Sequence, residues 1–235
     1  SITMRTPGND EDLIRGFLFN ERIIENMNEI DSVQHIGDAA GDYNLHNTIE
    51  ATINKTDNLD IGKLKRNFVT NSSCGICGKT SLDSIEVLKN DKLDLSFPKI
   101  KEDIILKSPG LLMNEQSEFA KTGGIHASAL INQTGNVITT REDVGRHNAV
   151  DKVAGWLFST KTNPEDKILY TTGRLTSEMV VKCANMGIPA LVSRSGFTAW
   201  GVELAKLTNM TLIGRLRGKR FVCLSGENRL IYDAI

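Results

Sequence analysis

Apolar residues recur in the N-terminal part of the chain at spacings that distinguish helices from strands. Behind a cap at Asn9 or Asp10, a stripe at helical spacing predicts a first helix, and its members are Leu13, Ile14, Phe17 and Leu18. Residues 30–35 and 47–53 alternate between apolar and polar positions and therefore predict two strands. We interpret residues 1–70 as a small α+β domain.

Strands and helices alternate in the last third of the chain. The predicted strands are 168–172, 190–193 and 211–213, and the predicted helices are 177–186 and 198–208. Strands joined by helices of about ten residues favour right-handed crossovers and a parallel sheet. The sequence therefore predicts an α/β main domain over residues 104–235.

The first part of this main domain predicts a helix and a strand pair. Ser108 followed by Pro109 is typical of a helix start, and that helix would carry Leu112, Gln116 and Phe119 on one side. A glycine turn and a strand follow at 122–131, and a hairpin turn leads to a returning strand at 137–140. Between the two domains we expect a mobile thiol loop, a helix and a polar connector over residues 71–103.

A charged segment from Arg141 to Asn148 opens a strong amphipathic helix. The buried stripe of that helix would be Val150, Val153, Ala154, Leu157 and Phe158. This segment would then lie at a helix N-terminus, where Arg146 and His147 are candidate functional residues. Capping by Asp143 together with solvated charge is the alternative interpretation.

Composition narrows the classes of function. The 235 residues carry a net charge of −1, which gives no general attraction to nucleic acid or to a membrane surface. The sequence contains neither the apolar run of ~18 residues that a transmembrane helix needs nor a secretory signal. Four cysteines in this pattern do not form a disulfide framework, so we expect a soluble, cytoplasmic protein. Because the first residue is Ser1, we expect a native N-terminal segment to be missing.

Two thiols three positions apart dominate the candidate chemistry. Cys74 and Cys77 lie among small, flexible residues and are followed by Lys79 and a predicted helix at 80–89. A nearby cation or a helix N-terminus lowers the pKa of a thiol and makes it a better nucleophile. The pattern therefore indicates an exposed, reactive sulfur site.

Two other interpretations of this CxxC pair lack support in the sequence. Tetrahedral zinc needs two more ligands at matching spacing, whereas Cys183 and Cys223 are isolated in apolar surroundings. We therefore expect no structural metal. A thioredoxin-like pair should follow a strand, but residues 59–70 predict a helix.

Three loops leave the carboxyl ends of the predicted parallel strands, namely Thr172–Arg174, Ser193–Gly196 and Gly214–Arg220. Such ends meet at one edge of an open α/β sheet, and ligands bind at that edge. Each loop contains arginine, which binds phosphate oxygens bidentately. The sequence thus predicts a nucleotide or diphosphate site, with a solvated hairpin tip as the alternative for the third loop. Outside that loop the candidate binding residues are Gly173, Arg174, Ser193 and His147.

Five blocks of the sequence resemble the signature blocks of the FdhD proteins, the accessory sulfurtransferases of formate dehydrogenase. In chain order they are Ser73–Gly78, Thr122–Ala127, Glu142–Asn148, Thr172–Arg174 and Leu212–Arg215. The resemblance runs from about residue 2 to about residue 225. Five blocks in the same order are far more specific than any one motif.

The resemblance implies a three-layer main domain similar to cytidine deaminase, and a homodimer. It implies a persulfide on Cys74 with Cys77 as its partner. The cofactor-binding stretch that it implies is Arg215, Leu216, Arg217, Gly218, Lys219 and Arg220. The implied function is to accept sulfur from a cysteine desulfurase and transfer it to the molybdenum cofactor, Mo-bis(molybdopterin guanine dinucleotide), for formate dehydrogenase.

Two rival functions follow from the same sequence. A zinc nucleoside deaminase would need His-x-Glu followed by Pro-Cys-x-x-Cys, but Ala127 and Ser128 follow His126 and the CxxC pair precedes it. A non-catalytic chaperone that binds the molybdenum cofactor would keep the basic loops and need no reactive thiol. This second rival stays open.

Overall fold

A computed structural model describes residues 1–39, 41–42, 44–54, 93–94 and 96–232 of the chain. The predicted thiol loop, with Cys74 and Cys77, lies outside the described residues, as do the predicted helices at 59–70 and 80–89. The domain boundaries predicted near residues 70 and 103 therefore stay predictions.

Six α-helices and ten strands are present among the described residues, numbered here in chain order. The helices are α1 (Asp10–Asn20), α2 (Glu102–Glu115), α3 (Ser117–Thr122), α4 (Arg146–Ser159), α5 (Ser177–Asn185) and α6 (Ala199–Leu207). The strands are β1 (Ile30–Ile36), β2 (Thr48–Ile53), β3 (Ile100–Lys101), β4 (His126–Asn132), β5 (Val137–Asp143), β6 (Lys167–Thr171), β7 (Ala190–Ser193), β8 (Thr211–Arg217), β9 (Arg220–Ser225) and β10 (Leu230–Ile231). Short 3₁₀ helices occur at Met27–Glu29 and Glu227–Arg229.

The main sheet has six strands in the order β5-β4-β6-β7-β8-β9. Strands β6, β7 and β8 are parallel, as the alternation of strands and helices predicts, whereas β4, β5 and β9 pair antiparallel. Helices α4, α5 and α6 pack on one face of this sheet, and α2 packs on the other. This arrangement confirms a mixed α/β fold, while its likeness to cytidine deaminase stays a prediction.

Helix α1 crosses α4 so closely that two glycines are required at the contact. A Cβ on Gly16 would lie 1.8 Å from the carbonyl oxygen of Asp151, and a Cβ on Gly155 would lie 1.9 Å from that of Asp12. Both distances are far below any van der Waals contact. The first helix therefore packs directly on the helix that begins at the site described below.

The predicted helix start at Ser108-Pro109 is wrong, because α2 begins at Glu102 and runs through the proline. Pro109 has no N–H to donate to the carbonyl of Ile105, four residues earlier. The Ser108 hydroxyl donates to that same carbonyl at 2.7 Å. Ile105 is also buried in the core, so packing and this side-chain hydrogen bond together hold the helix through the proline.

Two other boundaries differ from the prediction. Arg141 to Asp143 are the last residues of β5, and helix α4 starts only at Arg146. Strand β8 extends to Arg217 and turns directly into β9, so the third predicted loop is the tip of a β-hairpin. In both places, charged residues continue a strand because the neighbouring strand supplies hydrogen bonds that the side-chain pattern does not reveal.

Across the described residues, no helix combines the length and apolarity that membrane crossing demands.

Candidate functional site

The ends of several strands meet at one edge of the six-stranded sheet, which we call the carboxyl edge. Thr171 pairs with Ser193, and Val192 pairs with Ile213, so β6, β7 and the first part of β8 reach the same level. Strand β4 runs antiparallel to β6, so its first residue, His126, also lies there. The predicted convergence of the loops is confirmed.

Six exposed cationic side chains lie along the carboxyl edge. This cationic cluster consists of Arg174, Arg194, Arg215, Arg217, Lys219 and Arg220. Within the described part of the chain, none of the six forms an ion pair or donates a side-chain hydrogen bond. Arg5 and Arg141, by contrast, each bind a carboxylate of α1. Uncompensated charge of one sign at one edge favours an anionic ligand.

The first two loops of the edge are tied to each other by their backbones. Leu175 donates its N–H to the carbonyl of Gly196 at 2.9 Å, and its carbonyl accepts the N–H of Thr198 at 3.1 Å. The Ser193 hydroxyl donates to the carbonyl of Gly173 at 2.7 Å. Ser193 and Gly173, both predicted to bind ligand, therefore hold the two loops together, and Ser193 is itself buried.

Arg146 begins α4 and lies across the loop that follows β6. A Cβ on Gly173 would lie only 2.9 Å from the Cβ of Arg146, so glycine is needed for this close approach. Burial lowers the pKa of Arg146, the nearby charge of Arg174 lowers it further, and Glu178 opposes both. The first turn of α4 thus brings a buried arginine beside the cationic cluster.

His147 is held by a carboxylate at the same edge. Its Nε2 lies 2.9 Å from Oε2 of Glu178, which belongs to the first turn of α5. This contact with His147 is the main reason that the pKa of Glu178 is lowered, although burial opposes the shift. The ionised form of Glu178 is therefore favoured beside the imidazole.

His126, the first residue of β4, also lies at the carboxyl edge. The sequence suggests no role for it beyond the comparison with zinc deaminases. Its Nδ1 lies 3.1 Å from Oγ1 of Thr172, and this oxygen also accepts the N–H of Ala127 at 3.0 Å. Burial lowers the pKa of His126, and the charges of Arg146 and His147 lower it further. The neutral form of His126 is therefore favoured.

Other polar residues of the Glu142–Asn148 block hold the fold together. Asp143 is fully buried, and Nζ of Lys152 lies 2.8 Å from its Oδ2. Oδ1 of Asp143 accepts the N–H of Gly145 at 2.9 Å, and Oδ2 accepts the N–H of Thr6 at 3.1 Å. Asp143 is therefore a buried anchor for the start of α4 and for the N-terminal segment.

The third loop is the tip of a β-hairpin, as its alternative interpretation expected, and its cations lie at that tip. Arg217 and Arg220 are directly opposite each other across the two-residue turn. Gly218 has φ +57° at the first central position of this turn, where a type II′ turn requires glycine. Leu216 is buried in the core below the sheet, so its side chain faces away from the edge.

The remaining cysteines do not provide a second reactive site. Burial raises the pKa of the Cys183 thiol, and burial together with Glu227 raises that of Cys223. Among the residues with described positions, no group of three His, Cys, Asp or Glu side chains gathers as metal ligands. Cys74 and Cys77 lie outside the described residues.

Comparisons with known proteins concern nearly the whole chain. A family model described as the FdhD/NarQ family matches residues 1–231. The sulfur carrier protein FdhD of Saccharolobus solfataricus is 39% identical over 231 residues, which cover 98% of this chain and 83% of the relative. The protein of the same name from Streptomyces avermitilis is 36% identical, with 100% of this chain and 84% of the relative covered.

A solved structure agrees with these relatives. It is the crystal structure of a protein from Desulfotalea psychrophila whose assignment is formate dehydrogenase accessory protein. It superposes with a TM-score of 0.73 at 26% identity, and the match covers 97% of this chain and 83% of that chain. The family match over residues 1–231 and relatives above 30% identity over nearly the full chain lead to one conclusion. This chain belongs to the FdhD/NarQ family.

Proposed function

We propose that this protein is a sulfur carrier that accepts persulfide sulfur from a cysteine desulfurase and transfers it to the molybdenum cofactor of formate dehydrogenase. The observation that carries the proposal is the cationic cluster, whose six charges have no carboxylate partner among the described residues. The names of the relatives, sulfur carrier protein FdhD, support the sulfur chemistry. A cytoplasmic homodimer belongs to the same proposal.

Sulfur loading would be a thiol exchange at Cys74. The Cys74 thiolate attacks the terminal sulfur of the desulfurase persulfide and forms a new S–S bond. The S–S bond of the donor breaks, and the donor cysteine leaves as a thiolate. The terminal sulfur keeps its proton, and Cys74 then carries the group –S–SH, so the step needs no external oxidant or reductant.

Sulfur release would use the second thiol. The Cys77 thiolate attacks Sγ of Cys74, the terminal S–S bond breaks, and hydrosulfide leaves while a Cys74–Cys77 disulfide forms. The two thiols supply the two electrons that convert persulfide sulfur to sulfide. The hydrosulfide loses its proton as it becomes a ligand of molybdenum, and a cellular dithiol then reduces the disulfide.

The carboxyl edge would hold the anionic part of the substrate during this step. Arg217, Lys219 and Arg220 present positive charge at the hairpin tip, and Arg174 presents it beside the N-terminus of α5. Arginine forks match phosphate oxygens, and the N–H groups of a helix N-terminus favour anions. These residues would bind and orient the diphosphate groups of the cofactor's guanine dinucleotide.

Mass spectrometry of the loaded protein tests the sulfur step. The purified protein is incubated with a cysteine desulfurase and cysteine, and the bound sulfane sulfur is measured in Cys74→Ala, Cys77→Ala and the unchanged chain. We expect a mass increase of one sulfur in the unchanged chain and in Cys77→Ala, and none in Cys74→Ala. Full loading of Cys74→Ala would assign the nucleophile to another residue.

A chaperone that binds the cofactor without sulfur transfer is the second candidate, because the cationic cluster alone supports binding. Formate dehydrogenase activity in cells that express Cys74→Ala separates the two functions. The sulfur carrier proposal predicts that this activity is lost, whereas a chaperone would keep it.

A further inference from the structure

Arg215 has an unusual backbone for a residue inside a strand. Its φ is +54°, and the pairing of β8 with β9 shifts register between Gly214 and Arg217. A left-handed conformation at a non-glycine residue is strained and persists only where surrounding contacts enforce it. The N–H of Arg215 donates to the carbonyl of Ser195 at 2.9 Å, which is one such contact. A bulge of this kind redirects a side chain from its regular direction along the strand.

The redirected guanidinium lies over an aromatic ring. Cζ of Arg215 is 5.3 Å from the centroid of the Phe197 ring, within the range of a cation–π contact. The ring also lies close to Gly214, since a Cβ on that residue would lie 2.9 Å from Cδ1 of Phe197. Phe197 also forms a parallel bridge with Leu175 of the neighbouring loop. Two loops and a glycine therefore fix the ring before any ligand binds.

The outer side of this stack is available to a ligand. Arg215 is exposed, and its guanidinium donates no hydrogen bond to any described residue. With one face on Phe197, the other face and the N–H edges remain to meet a ligand. A planar guanidinium supported from below by a ring stacks well on a planar aromatic group. The cations of the hairpin tip have no aromatic support and suit phosphate oxygens instead.

We infer that the Phe197–Arg215 stack is a preformed platform for a purine ring, separate from the phosphate-binding tip at Arg217, Lys219 and Arg220. The inference rests on the proposed function, because the guanine dinucleotide supplies both a purine and a diphosphate. Arg215 contacts the base, and Phe197 is a positioning residue that acts through Arg215.

Calorimetry with three probes tests the platform: GDP, guanosine and inorganic pyrophosphate. The variants are Arg215→Lys, which keeps the charge and loses the planar group, Phe197→Leu, and the double variant. Arg22→Lys is the matched control, because Arg22 is also exposed with φ +55° and binds Asn185 at the C-terminal end of α5. That position is at the opposite end of the helix from the carboxyl edge.

We expect each single variant to weaken GDP and guanosine about tenfold, and the double variant to weaken them little more than either single variant. Pyrophosphate affinity should stay within about twofold in all variants, and the control should match the unchanged chain. Unchanged GDP affinity in Arg215→Lys would refute the platform and leave the proposed function intact. Equal weakening of pyrophosphate would make Arg215 a phosphate ligand and would also refute the platform. Failure of the unchanged chain to bind any of the three probes would overturn both the platform and the proposed cofactor site.

Discussion

Reversing the charge of Arg217 should stabilise the fold and weaken ligand binding at the same time. Arg217 and Arg220 face each other across the hairpin, and neither has a carboxylate partner among the described residues. Like charges directly opposite in a sheet are destabilising, and opposite charges contribute about 0.2–1 kcal/mol. Arg217→Glu replaces the repulsive pair of arginines with an attractive pair of glutamate and arginine. The free energy of unfolding should therefore rise by about 0.5–1 kcal/mol, which raises Tm by about 1–4 °C in a chain of this size.

The effect on binding follows from the same change of two charge units. At about 7 Å in a solvated site, each pair of unit charges contributes about 0.6 kcal/mol. Against two phosphate charges, the substitution should therefore cost about 2 kcal/mol of GDP binding, or about a 30-fold higher Kd at low salt. The difference should shrink at high salt, because the screening length falls from about 10 Å at 0.1 M to about 3 Å at 1 M.

Urea unfolding and calorimetry with GDP measure the two effects on the same preparations. Arg220→Glu creates the same cross-strand pair with the charges exchanged and should behave alike, while Arg217→Gln should give about half of each effect. A variant that loses stability, or that binds GDP as tightly as the unchanged chain at low salt, would refute the reasoning. The first result would show that the arginines are already paired, and the second that the tip lies outside the ligand site.

Two further substitutions test the fold and the imidazole contact. Gly16→Ala should cost more than about 3 kcal/mol of unfolding free energy, because its Cβ would meet the Asp151 backbone at 1.8 Å. Gly110→Ala, a helix position with nothing within 4 Å, should instead gain about 0.5–1 kcal/mol in the same urea titration. In the folded state the pKa of Glu178 lies below its ordinary value of 4.5, mainly because of His147. The ionised carboxylate therefore contributes fully to the free energy of unfolding above pH 4.5, and this contribution is lost as pH falls through the folded-state pKa. Glu178→Gln should remove this acid-side loss, and identical stability profiles of the two proteins between pH 6 and pH 3 would contradict it.

Regular elements of the main sheet are predictable because their periodicity is strong. The strands β6, β7 and β8 and the helices between them are confirmed to within a few residues at most boundaries. Their parallel pairing follows from the crossover rule, and with it the convergence of Arg174, Arg194 and Arg215 at one edge. Local pattern and chain topology are sufficient for this part of the site.

The errors occur where a tertiary contact outweighs a local signal. The hydroxyl of Ser108 does not cap a helix. It donates a hydrogen bond to the carbonyl that Pro109 leaves unpaired, so α2 continues through both residues. Asp143 is a residue type that often caps helices at the surface. Here it is buried and forms an ion pair with Lys152, nine residues later. No spacing rule in the sequence identifies that pair.

The contact between Phe197 and Arg215 illustrates what sequence reasoning misses at the site itself. The two residues are 18 positions apart and lie on different elements, and their meeting depends on a register shift in β8. The left-handed backbone of Arg215 gives no sequence signal, since such conformations are ordinarily associated with glycine or asparagine. The role of Ser193 in joining two loops is equally dependent on the folded geometry.

The central claim is that the thiol pair and the cationic cluster serve the same bound substrate. Its most direct test is a single-turnover measurement with the protein loaded with radioactive sulfur at Cys74, mixed with Mo-bis(molybdopterin guanine dinucleotide). The account predicts that Arg217→Glu loads sulfur from the desulfurase as fast as the unchanged chain, yet transfers it to the cofactor at least tenfold more slowly at subsaturating cofactor. Transfer at the unchanged rate would contradict the claim, because the cluster would then have no part in holding the molecule that receives the sulfur.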